Sequence, residues 1–348
     1  MCIRDSIMND LLTILIPTKN RHLLLERSLS YYAKSKINVK IIIADSSDKE
    51  SKNKTKKIFE KYKDILQLFY FHAPENIEPP AKNNLALDFI STPYILPIGD
   101  DDFPLKSSME IILNNLEKDT SIAAGFGNRV AIQQVSSKNE KLKWVKVYPN
   151  YSGISIKNDN PLDRIKRLPI PNWQQYPMAI FRTEVFKKSV EMVSKFEHTQ
   201  YAEFFSFSIV LVKGKWIKYD LLFAVCHQES KFCHFKDRLL FPNYIGSAGS
   251  VLSGVSQDKW SKIVSLLCNK VSKEILNDRA SYKAKNEADL ALDIRKIYYA
   301  KLIYYLEFNN KLSNYLIDSN SKITINLNNF FRKISKFYWL LILYNKSG

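Results

Sequence analysis

The sequence has little cysteine, and none of it is closely paired: Cys2, Cys226, Cys233 and Cys268 are the only four. That scarcity excludes a disulfide-stapled secreted domain and points to a reducing cytosol. Cys226-His227 and Cys233-His234 form a repeated Cys-His pair, but the intervening run lacks the short ligand loops of structural zinc sites. No long apolar run is present either. The first, Leu11 to Ile16, is too short for a secretory leader and leads into a turn at Pro17. The last, Leu340 to Leu343, is much too short to span a bilayer. Acidic residues are outnumbered, 35 against 52 Lys and Arg, for a formal net charge of +17. Such a balance calls for acidic company, either phosphates or anionic lipid headgroups, or else marks a lysine-rich solvated surface. No helix-turn-helix, zinc-finger or RNA-recognition signature accompanies it, so nucleic acid is not an expected partner.

At 348 residues, with 45% hydrophobic and 25% charged residues, the chain can bury a core of one large or two moderate domains. Met1 to Ile7 fit no element, and Met8 is an equally good start. From there strands and helices alternate. Leu11–Ile16, Val39–Ala44, Leu66–Tyr70 and Tyr94–Ile98 are apolar runs rich in β-branched and aromatic residues. Between them lie helical segments: Arg21–Lys34, with Leu24, Leu25, Leu29 and Tyr32 at helical spacing, then Lys52–Tyr62 and Pro79–Phe89. This alternation predicts parallel βαβ units, whose ligands bind beyond the carboxyl ends of the strands.

After the fourth strand the pattern becomes mixed. Helices are expected over Ser107–Lys118, Thr183–Lys195 and Tyr201–Val212. Strands are expected near Ile122–Gln134 and Trp144–Val147, with Asn172–Arg182 extended. Lys215–Val225 reads as two short strands or one bent one. Gly246, Gly249 and Gly254, with serines between, suggest a flexible loop. The expected division is residues 8–240, in halves 8–105 and 106–240, then a loop over 241–257 and a basic helical region over 258–348. The last thirty residues contain no acid and carry Phe330, Phe331, Phe337, Tyr338 and Trp339. They read either as an interfacial helix on anionic lipid or as a helix packed on the domain.

The run Gly99-Asp100-Asp101-Asp102-Phe103 follows the fourth strand directly. Three adjacent carboxylates repel unless a cation or ligand compensates them. Hard oxygen ligands there suit Mg²⁺ or Mn²⁺ together with substrate phosphates. An acidic cap on the following helix is the simpler alternative. Thr18, Asp45 and the triplet all fall at strand ends, a coincidence that capping does not predict.

Three segments in order, Leu12-Thr13-Ile14-Leu15-Ile16-Pro17-Thr18-Lys19-Asn20-Arg21, Ile41-Ile42-Ile43-Ala44-Asp45-Ser46-Ser47 and Pro97-Ile98-Gly99-Asp100-Asp101-Asp102-Phe103, resemble the family-2-type glycosyltransferases with the GT-A fold. The resemblance implies an α/β fold: a Rossmann-type nucleotide-binding sheet, a mixed acceptor half and, here, a C-terminal helical region. It covers about the first 105 residues and extends less clearly to Glu229.

By that resemblance Pro17 and Thr18 would wrap the nucleotide, with Arg21 near phosphate. Asp45 would accept the imide hydrogen of a uracil, or an amino hydrogen of another base, so a UDP-sugar is the favoured donor. Lys82 and Asn83 would lie close to base and diphosphate. Asp102 would bind Mn²⁺ or Mg²⁺, Asp100 the ribose or a metal-bound water, and Asp101 would point away as strand neighbours do. Glu203, at the start of a helix, would remove the acceptor proton; Glu184 and Glu197 are less well placed, and a first-turn glutamate also simply favours the helix dipole. His227 or His234 would add a metal or phosphate ligand, and Lys231 would serve the diphosphate. Trp173, Tyr176 and Pro177 would form a platform for an acceptor sugar, unless they are core. The Gln-x-x-Arg-Trp motif of processive relatives is absent, with Gln228-Glu229-Ser230-Lys231-Phe232 in its place, which favours single-residue transfer; the resemblance as a whole implies an inverting enzyme. The expected enzyme is cytoplasmic and peripheral at the inner face of the membrane through its C-terminus, acting on a glycan or lipid-linked acceptor. Two rivals are a sugar-phosphate nucleotidyltransferase, which the glycine-free loop Pro17–Arg21 opposes, and a catalytically silent sugar- or lipid-binding protein.

Overall fold

The computed structural model describes residues 8–77, 79–135, 143–150, 153–168, 178–194, 199–228, 257–277 and 286–298. The nucleus is a parallel array of β1 (Leu12–Thr18), β2 (Lys40–Asp45), β3 (Leu68–His72) and β4 (Tyr94–Pro97). Their connections are α1 (His22–Lys34), α2 (Lys49–Tyr62) and α3 (Pro79–Ala86), the last ending in a 3₁₀ turn, Leu87–Phe89. β1 and β2 are buried nearly end to end, as continuous apolar runs require when helices cover both sheet faces. α1 turns Leu25, Leu29 and Tyr32 inward, while the polar α2 buries only Thr55, Ile58 and Tyr62. α2 begins where the Asp48 side chain accepts from Ser51 N at 2.8 Å, which satisfies one orphan donor of its first turn.

The second half adds β5 (Asp102–Pro104), α4 (Lys106–Lys118), β6 (Ile122–Val135), β7 (Lys143–Asn150), α5 (Pro161–Lys166), β8 (Ile180–Arg182), α6 (Thr183–Val193), α7 (Thr199–Lys213) and β9 (Lys215–Gln228). All the described strands join one mixed sheet, nine-stranded among the described residues, in the order β3-β2-β1-β4-β8-β6-β9-β5, with β7 on β6. β8 is antiparallel to both β4 and β6, and so stitches the parallel half to the mixed half. This is the α/β architecture that the sequence predicts.

Strand alternation divides the core. Ile41 and Ile43 face Leu25, Leu29, Met109 and Ile112, whereas Ile42 faces away, into a cluster with Phe181, Phe207 and Trp216. That second cluster also takes up Leu267, Cys268, Val271 and Ile275 of α8 (Gln257–Asn277), and Leu290, Ile294 and Tyr298 of a helix over residues 287–298. Tyr298 meets Phe205 edge-on at 5.5 Å, and Lys213 pairs with Glu274 at 2.5 Å. The described part of the C-terminal helices therefore shares the core of the sheet.

Several boundaries differ from expectation for physical reasons. β1 continues through Pro17 to Thr18, because β4 stops opposite Leu15 and leaves Pro17 with a single neighbouring strand. β9 is one continuous strand. β5 was not expected: at three residues it carries no periodicity, and its partner, β9, comes far later in the chain. Of the extended segment expected over 172–182, only Ile180–Arg182 is described as a strand. Trp173, Tyr176, Pro177, the loop expected over 241–257 up to residue 256, and the last fifty residues lie outside the described residues; Gln257 already belongs to α8.

Candidate functional site

The carboxyl ends of β1 and β2 lie side by side, with Thr18 paired to Asp45 in register. Between them and the end of β4 the chain gathers a set of buried charges. Asp100 is 1% exposed. Its Oδ2 accepts from Thr18 Oγ1 at 2.6 Å, and its backbone carbonyl accepts from Ser28 Oγ at 2.6 Å. Arg21, just before α1, brings Nη1 to 2.9 Å from Asp100 Oδ1 and donates Nη2 to Asp101 Oδ2. Burial pushes Asp100 up to about 6, against the pull of Arg21.

Lys82 enters the same crevice from α3. At 4% exposed, it donates to the Thr18 carbonyl at 2.9 Å and to Ser46 Oγ at 3.0 Å. Burial lowers it to about 8, although Asp45 and Asp100 both favour its charge. On the next residue, Asn83, Oδ1 is buried without a hydrogen-bond partner. Asp45 has no exposed surface. Its Oδ1 accepts from Ser47 N at 2.8 Å and Ser47 Oγ at 2.5 Å, and its Oδ2 accepts from Tyr70 Oη at 3.0 Å. Asn20 ties the two strand-end loops together, its N donating to Ser47 Oγ and its Oδ1 accepting from Asp48 N. It does so with φ of 55°, a left-handed conformation that Asn tolerates.

Asp100 and Asp101 form a turn, not a strand, so alternation does not apply to them. Asp101 consequently does not point away but shares Arg21 with Asp100. Asp102 starts β5 opposite Cys226. Burial and the Asp101 charge raise its carboxyl, while the Arg129 charge and a hydrogen bond with Cys226 counter the rise. Gly99 leaves room for the acidic side chains: a Cβ at that position would lie 2.8 Å from Asp102 Oδ2 and 2.9 Å from Asp101 Oδ1, so a larger residue would make those carboxylates move. His227 is buried nearby, and desolvation together with Arg27 and Arg21 lowers it to about 4, so it stays neutral.

The structure thus brings together Pro17, Thr18, Arg21, Asp45, Lys82, Asp100 and Asp101 around the ends of β1 and β2, with Asn83 next to Lys82 and Asp102 beside Asp101. Glu203 lies in the second turn of α7 rather than at its start, because the helix begins at Thr199. His234 and Lys231 lie outside the described residues. No group of three or more His, Cys, Asp or Glu able to hold a metal is assembled by the described residues, and no described helix is long and apolar enough to cross a membrane. Sequence reasoning missed Asn20, Tyr70 and Arg129. Asn20 stands inside a recognised segment, but Tyr70 and Arg129 arrive from β3 and β6 through sheet pairing, which no local signal records.

No curated protein sequence matches the chain. Solved structures similar in backbone include S. aureus TarS 1-349 in complex with UDP-GlcNAc, 16% identical, covering 85% of this chain and 71% of that one, with a TM-score of 0.49. Another is the mannosyltransferase PcManGT from Pyrobaculum calidifontis in complex with GDP-Man and Mn²⁺, 11% identical, covering 93% and 80%, with a TM-score of 0.44. Residues 13–189, just over half of the 348 in the chain, match the family described as Glycosyl transferase family 2. That span contains all the strand-end residues described above, and the chain belongs to glycosyl transferase family 2: it is a glycosyltransferase.

Proposed function

We propose that the enzyme moves a sugar from a nucleoside-diphospho-sugar to a hydroxyl of a glycan or lipid-linked acceptor, one residue at a time and with inversion. The observation that carries this reading is the buried crevice at the ends of β1, β2 and β4. There Lys82, Asp45 and Asp100 are held by Thr18, Ser46, Ser47 and Tyr70, and Arg21 is held by Asp100 and Asp101. Burying so many charged and polar groups costs stability unless a ligand repays it. A nucleotide supplies what is missing: a base edge for the Asp45 end and phosphates for Arg21 and Lys82.

The donor set also fits a divalent cation. Asp100 in the turn and Asp102 at the start of β5 offer hard oxygens two residues apart, and Asp100 Oδ1, although ion-paired with Arg21, is buried without a hydrogen bond. Mg²⁺ or Mn²⁺ typically takes one or two such carboxylates and completes its shell with substrate phosphates. Asp102 and Asp100 would hold the ion, which supplies neutralisation of the departing diphosphate. Arg21 orients the phosphates and keeps Asp100 and Asp101 in place. Glu203 is our candidate for accepting the acceptor's proton, and His234 for a further ligand, both on sequence position. The lack of the Gln-x-x-Arg-Trp motif supports non-processive transfer. The basic, aromatic C-terminus supports a peripheral approach to a membrane-bound acceptor at the cytoplasmic face.

Calorimetric titration of the whole chain with UDP, GDP, CMP and dTDP, with and without Mn²⁺, tests this. Tight binding of one nucleotide that weakens on Mn²⁺ removal and in Asp102→Ala is expected. Absence of metal-dependent binding to all four would reduce the triplet to an acidic helix cap.

A further inference from the structure

Outside the strand-end crevice lies a groove of about 510 Å³ between α1, α2 and β5. Its size is within the range of about 300–1,000 Å³ usual for ligand sites. One wall is a stripe of α1, where Leu23, Arg27, Tyr31 and Lys34 recur at the spacing that shares a helix face. This is not the stripe that α1 gives to the core, which carries Leu25, Leu29 and Tyr32. Folding accounts for the core stripe, but not for a 60%-exposed Leu23 in line with an arginine and a lysine.

The groove is basic, and its cations are placed on rings. Arg27 lies over Phe103 of β5, 5.4 Å from the centroid, and Lys61 of α2 lies over Tyr62 at 5.2 Å. Phe103 meets Tyr31 edge-on at 5.2 Å, and the Tyr31 hydroxyl donates to the Pro104 carbonyl at 2.7 Å. A guanidinium set on a ring is positioned in advance and keeps the planar fork that suits carboxylates and phosphates. Glu26, the one acid lining the groove among the described residues, is paired with Lys61 at 2.6 Å. Arg27 and Lys34 therefore set its sign, and the six lysines of α2 against two glutamates reinforce it. Two helical turns separate Arg27 from Lys34, about 10 Å along the axis. The groove also starts beside the reaction centre. Leu23 comes two residues after Arg21, which holds Asp100 and Asp101, and Phe103 directly follows Asp102.

We propose that this groove holds the acceptor, a sugar chain bearing carboxylate or phosphate groups. Its anions meet Arg27 and Lys34 while its rings lie against Leu23 and Tyr31. A flat bilayer does not reach side chains set between two helices and a strand, whereas a chain one sugar wide does. The inference rests on the proposed sugar-transfer reading and specifies its acceptor as anionic.

The test is calorimetry of tetragalacturonate, its neutral methyl ester and a phosphorylated oligomannose against the whole chain. The variant is Arg27→Met with Lys34→Met, which keeps the aliphatic stems and removes both charges. Parallel nucleotide titrations and thermal melts report on the strand-end site and the fold. At least one anionic chain should bind the wild type, and the neutral ester about tenfold or more weakly by comparison. Which of the two binds separates carboxylate from phosphate recognition. The double variant should lose about tenfold or more in affinity for that chain with nucleotide affinity unchanged. Lys166→Ala with Lys188→Ala, two exposed lysines of α5 and α6, should weaken neither. An equal loss in both double variants would overturn the proposal, leaving only general attraction to a chain of net charge +17. Binding of neither anionic chain, or of the ester equally well, would overturn it and leave the nucleotide reading intact. So would binding to phosphatidylglycerol vesicles in place of the chains. A wild-type chain that binds no nucleotide would instead overturn the sugar-transfer reading, and the acceptor role with it.

Discussion

The sheet has two differently built ends. On the Trp216 face of β6, β8 and β9 its packing is aromatic: Trp216 lies 4.6 Å from Phe126, 4.7 Å from Phe207 and 5.9 Å from Phe181 between ring centroids. At the carboxyl ends of β1, β2 and β4 the same depth of burial is spent on Thr18, Asp45, Ser46, Lys82 and Asp100. The first region stabilises by removing apolar surface from water. The second is held by hydrogen bonds whose net contribution is small and whose charges are costly to desolvate. One end of the sheet holds the fold, and the other keeps charges arranged at the expense of stability.

Substitutions at the two ends should separate stability from binding. Trp216→Ala, which opens a cavity among three aromatic rings, should cost about 3–5 kcal/mol in denaturant unfolding. Nucleotide affinity per folded molecule should be unchanged, and an equal loss of both would break the distinction. Asp102→Ala should reverse that pattern, with kcat lower by on the order of 10²–10³-fold and little change in melting temperature. Gly99→Ala should act in the same direction more weakly, because its methyl group displaces the Asp101 and Asp102 carboxylates rather than removing either.

Lys82 probes the cost of the charged end directly. Its folded pKa of about 8 lies below the ordinary lysine value of 10.5, so between those limits the unfolded chain binds more protons than the folded one. Stability should therefore rise with pH from about 8 to 10.5, and denaturant melts of Lys82→Met should lack that rise. The same variant should bind nucleotide more weakly while being no less stable at pH 7. Asp100, raised to about 6, has the opposite sign and makes stability fall as pH climbs from about 4 to 6. His227, lowered to about 4, makes stability fall as pH drops from 6.5 to 4 and so opposes Asp100, while Asp102, also raised, acts in the same direction as Asp100. The smallest effect should come from Lys61→Ala, which breaks an exposed pair with Glu26 and should leave melting and binding unchanged within error.

The sequence alone determined the parallel half of the fold, because its strands are continuous apolar runs and its helices carry their apolar stripe at regular spacing. It also determined the strand-end residues, since Thr18, Asp45 and the acidic triplet each terminate a run that pattern alone can end. The tertiary structure decided what sequence spacing does not encode. It put Asp101 beside Asp100 on Arg21 because the triplet is a turn, and placed Cys226 and Arg129 about Asp102 through β5, β9 and β6. It also set Tyr70 over Asp45 and drew the described C-terminal helices into the shared core. Each of these depends on pairing between segments distant in the chain, and such pairing follows from the closure of the whole sheet rather than from any local run of residues.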